Sequence, residues 1–165
     1  MSVDWSDIVF TPDDETVAEV AAAWAWLIPE PWRVVVCSMF GGLFLEKASG
    51  GVLWLECATG EVERVADSAA AFNAYLGGAR DDAWKDQVDE WFLGDFVERL
   101  HAAGKRPGPG QCYGLTILPV FAEGRYTVEN VFVLSVREWL TATGAVHRQL
   151  RDCPDGARVK LWVAD

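Results

Sequence analysis

At 165 residues, 51% of them hydrophobic and 12% aromatic, the chain is long and apolar enough to bury one sizeable core, which excludes a wholly disordered protein. Its net charge of -11 at pH 7 is unevenly held: residues 1–100 carry 6 Lys and Arg against 19 Asp and Glu, and residues 101–165 carry 8 against 6, so the parts hold -13 and +2. A balance this acidic repels phosphate backbones, disfavouring direct nucleic-acid binding and making a basic protein the expected partner.

The opening Met1, Ser2, Val3, Asp4, Trp5 has no basic leader region, and the longest apolar run, residues 20–29, is too short to span a bilayer. A cytoplasmic protein without membrane association is expected. The cysteines at 37, 57, 112 and 153 form no Cys-x-x-Cys pair, so they are expected to stay reduced, with Cys37 and Cys57 in the core.

Thr11 as N-cap, Pro12 at the first helical position and Asp13, Asp14 and Glu15 in the first turn predict a helix. Val17, Val20, Ala21, Trp24 and Ile28 form its apolar face, and Pro29 and Pro31 stop it. Four short apolar runs come next, at residues 34–39, 43–47, 52–57 and 62–66. Gly41-Gly42, Ser49-Gly50-Gly51 and Thr59-Gly60 separate them at the spacing of antiparallel hairpins. Asp67 or Ser68 then caps a helix carrying Phe72, Tyr75 and Leu76, with Gly77 as its C-cap. A long acidic helix succeeds it, spacing Trp84, Val88, Trp91, Phe92 and Phe96 on its inner side.

Pro107, Gly108, Pro109 and Gly110 reset the backbone, and Leu115 to Val120 reads as a strand. A Glu123-Gly124 turn leads to a second strand through Val128, Val131, Val133 and Val136. Ser135 and Glu138 fit a capping box for a last helix bearing Trp139, Thr143, Val146 and Leu150. The Pro154-Asp155-Gly156 turn then precedes an edge strand in which Val159, Leu161 and Val163 alternate with Arg158, Lys160 and Trp162. That edge is a candidate for self-association. The fold class is therefore α+β: a mostly antiparallel sheet, made of an amino-terminal hairpin meander plus carboxy-terminal strands, packed by about four helices. Residues 1–106 and 107–165 form two portions of one compact unit.

Several segments together carry a likeness. They are Gly110 to Gly114, Pro119, Gly124 to Val131 with Tyr126 and Asn130, Gly144, His147, Gln149, and Pro154 to Gly156. Upstream, Trp24, Trp26, Leu27, Phe40 to Leu45, Trp54, Leu55 and Thr59 to Val65 extend it over roughly residues 24–162. In their order and spacing these resemble immunity proteins of the Tdi type from type VI secretion systems, with a GAD-like amino-terminal portion. The resemblance implies a bacterial inhibitor that neutralises a cognate secreted DNase and carries no chemistry or cofactor of its own. A non-catalytic regulatory or small-ligand-binding module of the same fold is the alternative.

The densest acidic patch is Asp81, Asp82, Asp86, Asp89, Glu90, Asp95 and Glu98. It reads either as the solvated side of a helix or as a phosphate-mimicking face that binds a basic nuclease. Catalytic arrangements have weaker support. Cys112 with His101 or His147 lacks a local signature, and adding Cys153 to these residues matches no zinc spacing. Asp89 and Glu90 point in different directions on a helix. The Gly104 to Gly110 loop, with Lys105 and Arg106, lacks the ending of a phosphate-binding loop. His147 reads as a side chain bonded to a nearby loop. Of nine tryptophans, Trp24, Trp54, Trp84 and Trp139 are expected inside, and Trp5, Trp32 and Trp162 at exposed positions.

Overall fold

The turns of the meander hold positive φ at Gly41, Gly50, Gly51 and Gly60, the region open to glycine, and they fold residues 32–66 into successive hairpins. A computed structural model describes residues 3–162. The chain runs α1 (Trp5–Ile8), β1 (Val9–Phe10), α2 (Asp14–Trp24), β2 (Trp32–Ser38), β3 (Gly42–Lys47), β4 (Val52–Glu56) and β5 (Glu61–Ala66). It continues through α3 (Ala69–Leu76), α4 (Asp82–Phe92), α5 (Gly94–Ala102), β6 (Gln111–Leu115), a 3₁₀ turn at Val128–Asn130, β7 (Val131–Ser135) and α6 (Val136–Leu150). The class is α+β, with every strand pair antiparallel.

β1 to β5 form one sheet in sequence order, and β6 pairs with β7 in a separate two-stranded sheet. β3 is the central strand, and residues 42–45 are buried on both faces. On one face Phe44 meets Phe72 of α3 at 4.8 Å and Trp91 and Phe92 of α4 at 5.4 and 5.3 Å between ring centroids. Leu43, Leu45 and Leu55 share the other face and are buried, and α2 packs against α6. These two helices are held together by tryptophan. Trp24, fully buried, donates its indole N–H to the Leu140 carbonyl at 2.8 Å, and Trp26 donates to Gly144 at 3.2 Å.

The structure moves several expected boundaries. Asp13, rather than Thr11, caps α2 by accepting from the Thr16 amide at 2.7 Å, and the helix ends at Trp24 instead of reaching Ile28. A short helix and a two-residue strand precede it. The strand expected at residues 115–120 lies at Gln111–Leu115, because Asn130 clamps the segment beyond Leu115 into a loop. Its side chain accepts from Ile117 N–H and donates to the carbonyls of Ile117 and Arg125. Val128 lies in the 3₁₀ turn, and Val136 already starts α6 under a Ser135 cap. The acidic helix is two helices, α4 and α5, so the six helices among the described residues exceed the expected four.

The final strand does not form over residues 157–162, and Val163 lies outside the described residues. There the Gln149 side chain holds the tail against α6, accepting from the Trp162 amide at 2.9 Å and donating to its carbonyl at 3.0 Å. Self-association through a carboxy-terminal edge strand therefore loses its basis. Trp54, Trp84 and Trp32 are partly buried, while Trp5 and Trp162 are exposed.

Candidate functional site

The seven acidic candidates fall on both sides of a break. α4 stops at Leu93, whose φ of 54° and ψ of 43° are left-handed, and α5 starts at Gly94. A non-glycine residue there is disfavoured by about 1–2 kcal/mol. The break is fastened by Leu93 N–H donating to the Asp89 carbonyl at 2.7 Å and Val97 N–H donating to Leu93 at 2.9 Å. Asp89 Oδ1 also accepts from the Asp95 amide at 3.2 Å.

Asp89 is thus committed to the start of α5, and Asp81 to the start of α4, accepting from the Trp84 amide at 2.8 Å. Asp82, Asp86, Asp89 and Glu90 share the solvent side of α4, since steps of three and four bring side chains onto one face. Asp82 pairs with Lys85 at 3.3 Å, and Glu90 accepts from Gln87 at 2.9 Å. Asp95 continues the row across the junction, whereas Glu98 is half-buried on α5. An exposed carboxylate stripe results, most of it local capping and pairing, centred on Asp86.

Among the described residues no hydrogen bond joins Cys112 to His101 or His147. Cys112 is fully buried, and burial pushes its thiol up to about 12, far from a reactive thiolate. His147 Nε2 lies 3.1 and 3.2 Å from the carbonyls of Cys57 and Ala58. Carbonyls only accept, so Nε2 carries the proton and donates. Burial holds the pKa of His147 below the usual histidine value, and the ring pins α6 to the turn after β4. Lys105 gives its ammonium to the carbonyls of Val128 and Val131 at 2.5 and 2.6 Å, which removes it from any anion cradle. Among the described residues no group of three or more His, Cys, Asp or Glu could hold a metal ion.

A feature that residue spacing did not announce lies on the α3–α4 side of the sheet. Glu56 is 8% exposed, accepts from Ala58 N–H at 3.1 Å, and is pushed up to about 7 by burial. The neighbouring Trp54 indole N–H is buried with no hydrogen-bond partner among the described residues. A Cβ placed on Gly42 would stand 2.8 Å from Ser38 Oγ, 2.9 Å from Trp54 Nε1 and 3.6 Å from Glu56 Oε2, so the three groups crowd one spot. The only sequence signal was a carboxylate closing an apolar strand.

A cleft of about 630 Å³ opens where α2 and α6 begin, lined by Phe10, Asp13, Met39, the Pro107 to Gln111 loop and Arg137. Arg137 is engaged by Glu15 at 3.0 Å and Glu19 at 3.3 Å.

No family model matches this chain, and no curated protein does. Among solved structures it is similar to Atu4351 from Agrobacterium tumefaciens, at 15% identity over 85% of this chain and 67% of that one, with a TM-score of 0.53. At that identity the two share a fold.

Proposed function

We propose that this chain is an immunity protein that binds a cognate secreted nuclease in the cytoplasm of the producing bacterium and occludes its active site. The observation that carries the reading is the exposed carboxylate stripe of α4 and the α4–α5 junction in a chain of net charge -11. Carboxylates on a rigid face offer a basic nuclease what its phosphate substrate offers, and they steer encounter. Association reaches about 10⁸ M⁻¹s⁻¹ at low salt in such pairs. An interface of standard size, about 1,600 Å², would cover a nuclease cleft without any chemical step. Among the described residues no helix is long and apolar enough to cross a membrane.

The second reading, a regulatory or small-ligand-binding module, is favoured by the cleft between the starts of α2 and α6. Co-expression with the product of an adjacent nuclease gene tests the first. Survival with intact cellular DNA and a co-purifying complex is expected, whereas killing despite folded protein would transfer the proposal to the cleft.

A further inference from the structure

The two edges of the five-stranded sheet are protected differently. β5 presents Glu61, Glu63 and Arg64, all exposed, and charges on an edge oppose the addition of another strand. At the other edge β1 covers only the last two residues of β2, through Phe10 opposite Cys37 and Val9 opposite Ser38. Along residues 32–36 the outer side of β2 pairs with no strand among the described residues.

One hydrogen bond tells which backbone groups are free. Ala48 N–H donates to the Pro31 carbonyl at 2.8 Å, so Trp32 and Lys47, the next pair in the register, are non-hydrogen-bonded. Arg33 and Glu46 then form the hydrogen-bonded pair. Trp32 and Val34 turn their N–H and C=O groups away from β3, and among the described residues these meet no partner. Beyond Val34 the register slips, which leaves Val35 in a bulge.

The free edge runs between two clefts, one on each face of the sheet. A cleft of about 440 Å³ is lined by Trp5, Val35, Leu76 and Trp84. Its counterpart of about 370 Å³ is lined by Val17, Ala18, Ala21 and Trp32. Successive side chains of an added strand point to opposite faces, so both clefts would receive them. The second cleft has an acidic rim, Asp14 and Glu30, whereas Arg80 lines the first, and residues 1–100 as a whole hold -13.

We propose that the outer edge of β2 is a strand-addition site for an extended peptide carrying lysine or arginine together with β-branched or aromatic residues. Backbone hydrogen bonds at Trp32 and Val34 bind its main chain, the two clefts select its apolar side chains, and the acidic rim of the second cleft with the negative charge of residues 1–100 selects its charge. A second copy of the chain is a poorer occupant, because two bodies of charge -11 repel each other. This site is separate from the stripe on α4 and does not depend on the nuclease reading.

The test is residue-resolved amide exchange by NMR on the full chain, titrated with the heptapeptide acetyl-Lys-Val-Val-Lys-Val-Val-Lys-amide, which presents valine on both faces of an added strand. In the free protein the Arg33 amide should exchange slowly and those of Trp32 and Val34 quickly. Saturating peptide should slow the latter two by about tenfold or more. The same peptide N-methylated along its backbone keeps charge and side chains but cannot complete the ladder, and should leave both amides unchanged. Val34→Pro removes one outward donor at a position where an edge strand tolerates proline, and should weaken peptide binding by about tenfold. Three outcomes would each overturn the proposal: slow exchange at Trp32 and Val34 in the free monomer, a concentration-dependent dimer that protects them, or equal binding of the N-methylated peptide.

Discussion

Glu56 shows how one residue can set a pH dependence. Its carboxyl titrates at about 7 in the fold, above the ordinary glutamate value of 4.5, because burial disfavours the charged form. A raised carboxyl pKa contributes stability that is present below pH 4.5 and lost as pH rises through 7. The difference corresponds to roughly 3 kcal/mol. Glu56→Gln keeps the acceptor for Ala58 N–H and should leave stability nearly unchanged at about pH 4.5. At about pH 8 it should raise stability by roughly that amount, as read by urea unfolding at both pH values. A parallel offset at the two would mean the effect is one of packing. Asp89 makes a second prediction at this scale. As the acceptor for the Asp95 amide it acts as a cap, so Asp89→Ala should cost about 1 kcal/mol of stability. Unchanged thermal unfolding would show that the left-handed Leu93 holds the junction alone.

Helix contacts depend on small residues where backbones come close. Gly144 lets α6 approach α2: a Cβ there would stand 2.9 Å from the Ala23 carbonyl oxygen and 3.1 Å from Trp24 Nε1. Gly144→Ala gains up to about 1 kcal/mol in helix propensity and meets an overpacking cost of about 1–3 kcal/mol. A net loss is expected, seen as a lower Tm, and a higher Tm would mean that α2 can step back freely. Other positions that carry the family likeness also build elements. Tyr113 is buried and donates its hydroxyl proton to the Lys105 carbonyl at 2.8 Å, Asn130 clamps the loop before β7, and Gln149 ties down the tail. A Cβ on Gly114 would overlap Leu134 and Trp139, and one on Gly124 would strike the Leu118 carbonyl. These residues build the fold and leave the binding face to be decided by others.

Over the whole molecule, charge and stability separate. Asp82, Asp86 and Glu90 are exposed on α4, and exposed charges contribute little to stability. Replacing them by Asn, Asn and Gln should leave Tm within a degree or two, while slowing association with a basic nuclease by about tenfold at low salt. The difference should shrink as salt screens the stripe. Stopped-flow association at two ionic strengths reads this directly, and rates independent of the three substitutions would remove α4 from the binding face. Asp89 stays intact in this variant because its loss would mix a folding effect with an electrostatic one.

Short-range patterns were legible in the sequence because local sterics enforce them. The glycine turns specified the hairpins, Ser68 and Ser135 capped the helices they precede, and the apolar spacing of Trp84 to Phe96 identified the buried side of the acidic helices. The uneven charge was also visible, since it needs only counting. Long-range partners decided the rest. Leu93 breaks the acidic helix in a left-handed conformation that only Asp89 and the packing beneath it make tolerable, and the strand expected from the alternation of Val159, Leu161 and Val163 does not form over 157–162. Periodicity predicts which side of a strand is apolar but not whether a neighbour will pair with it. The same limit hid the free edge of β2 and the burial of Glu56: both depend on which elements, distant in sequence, the fold brings alongside or leaves away.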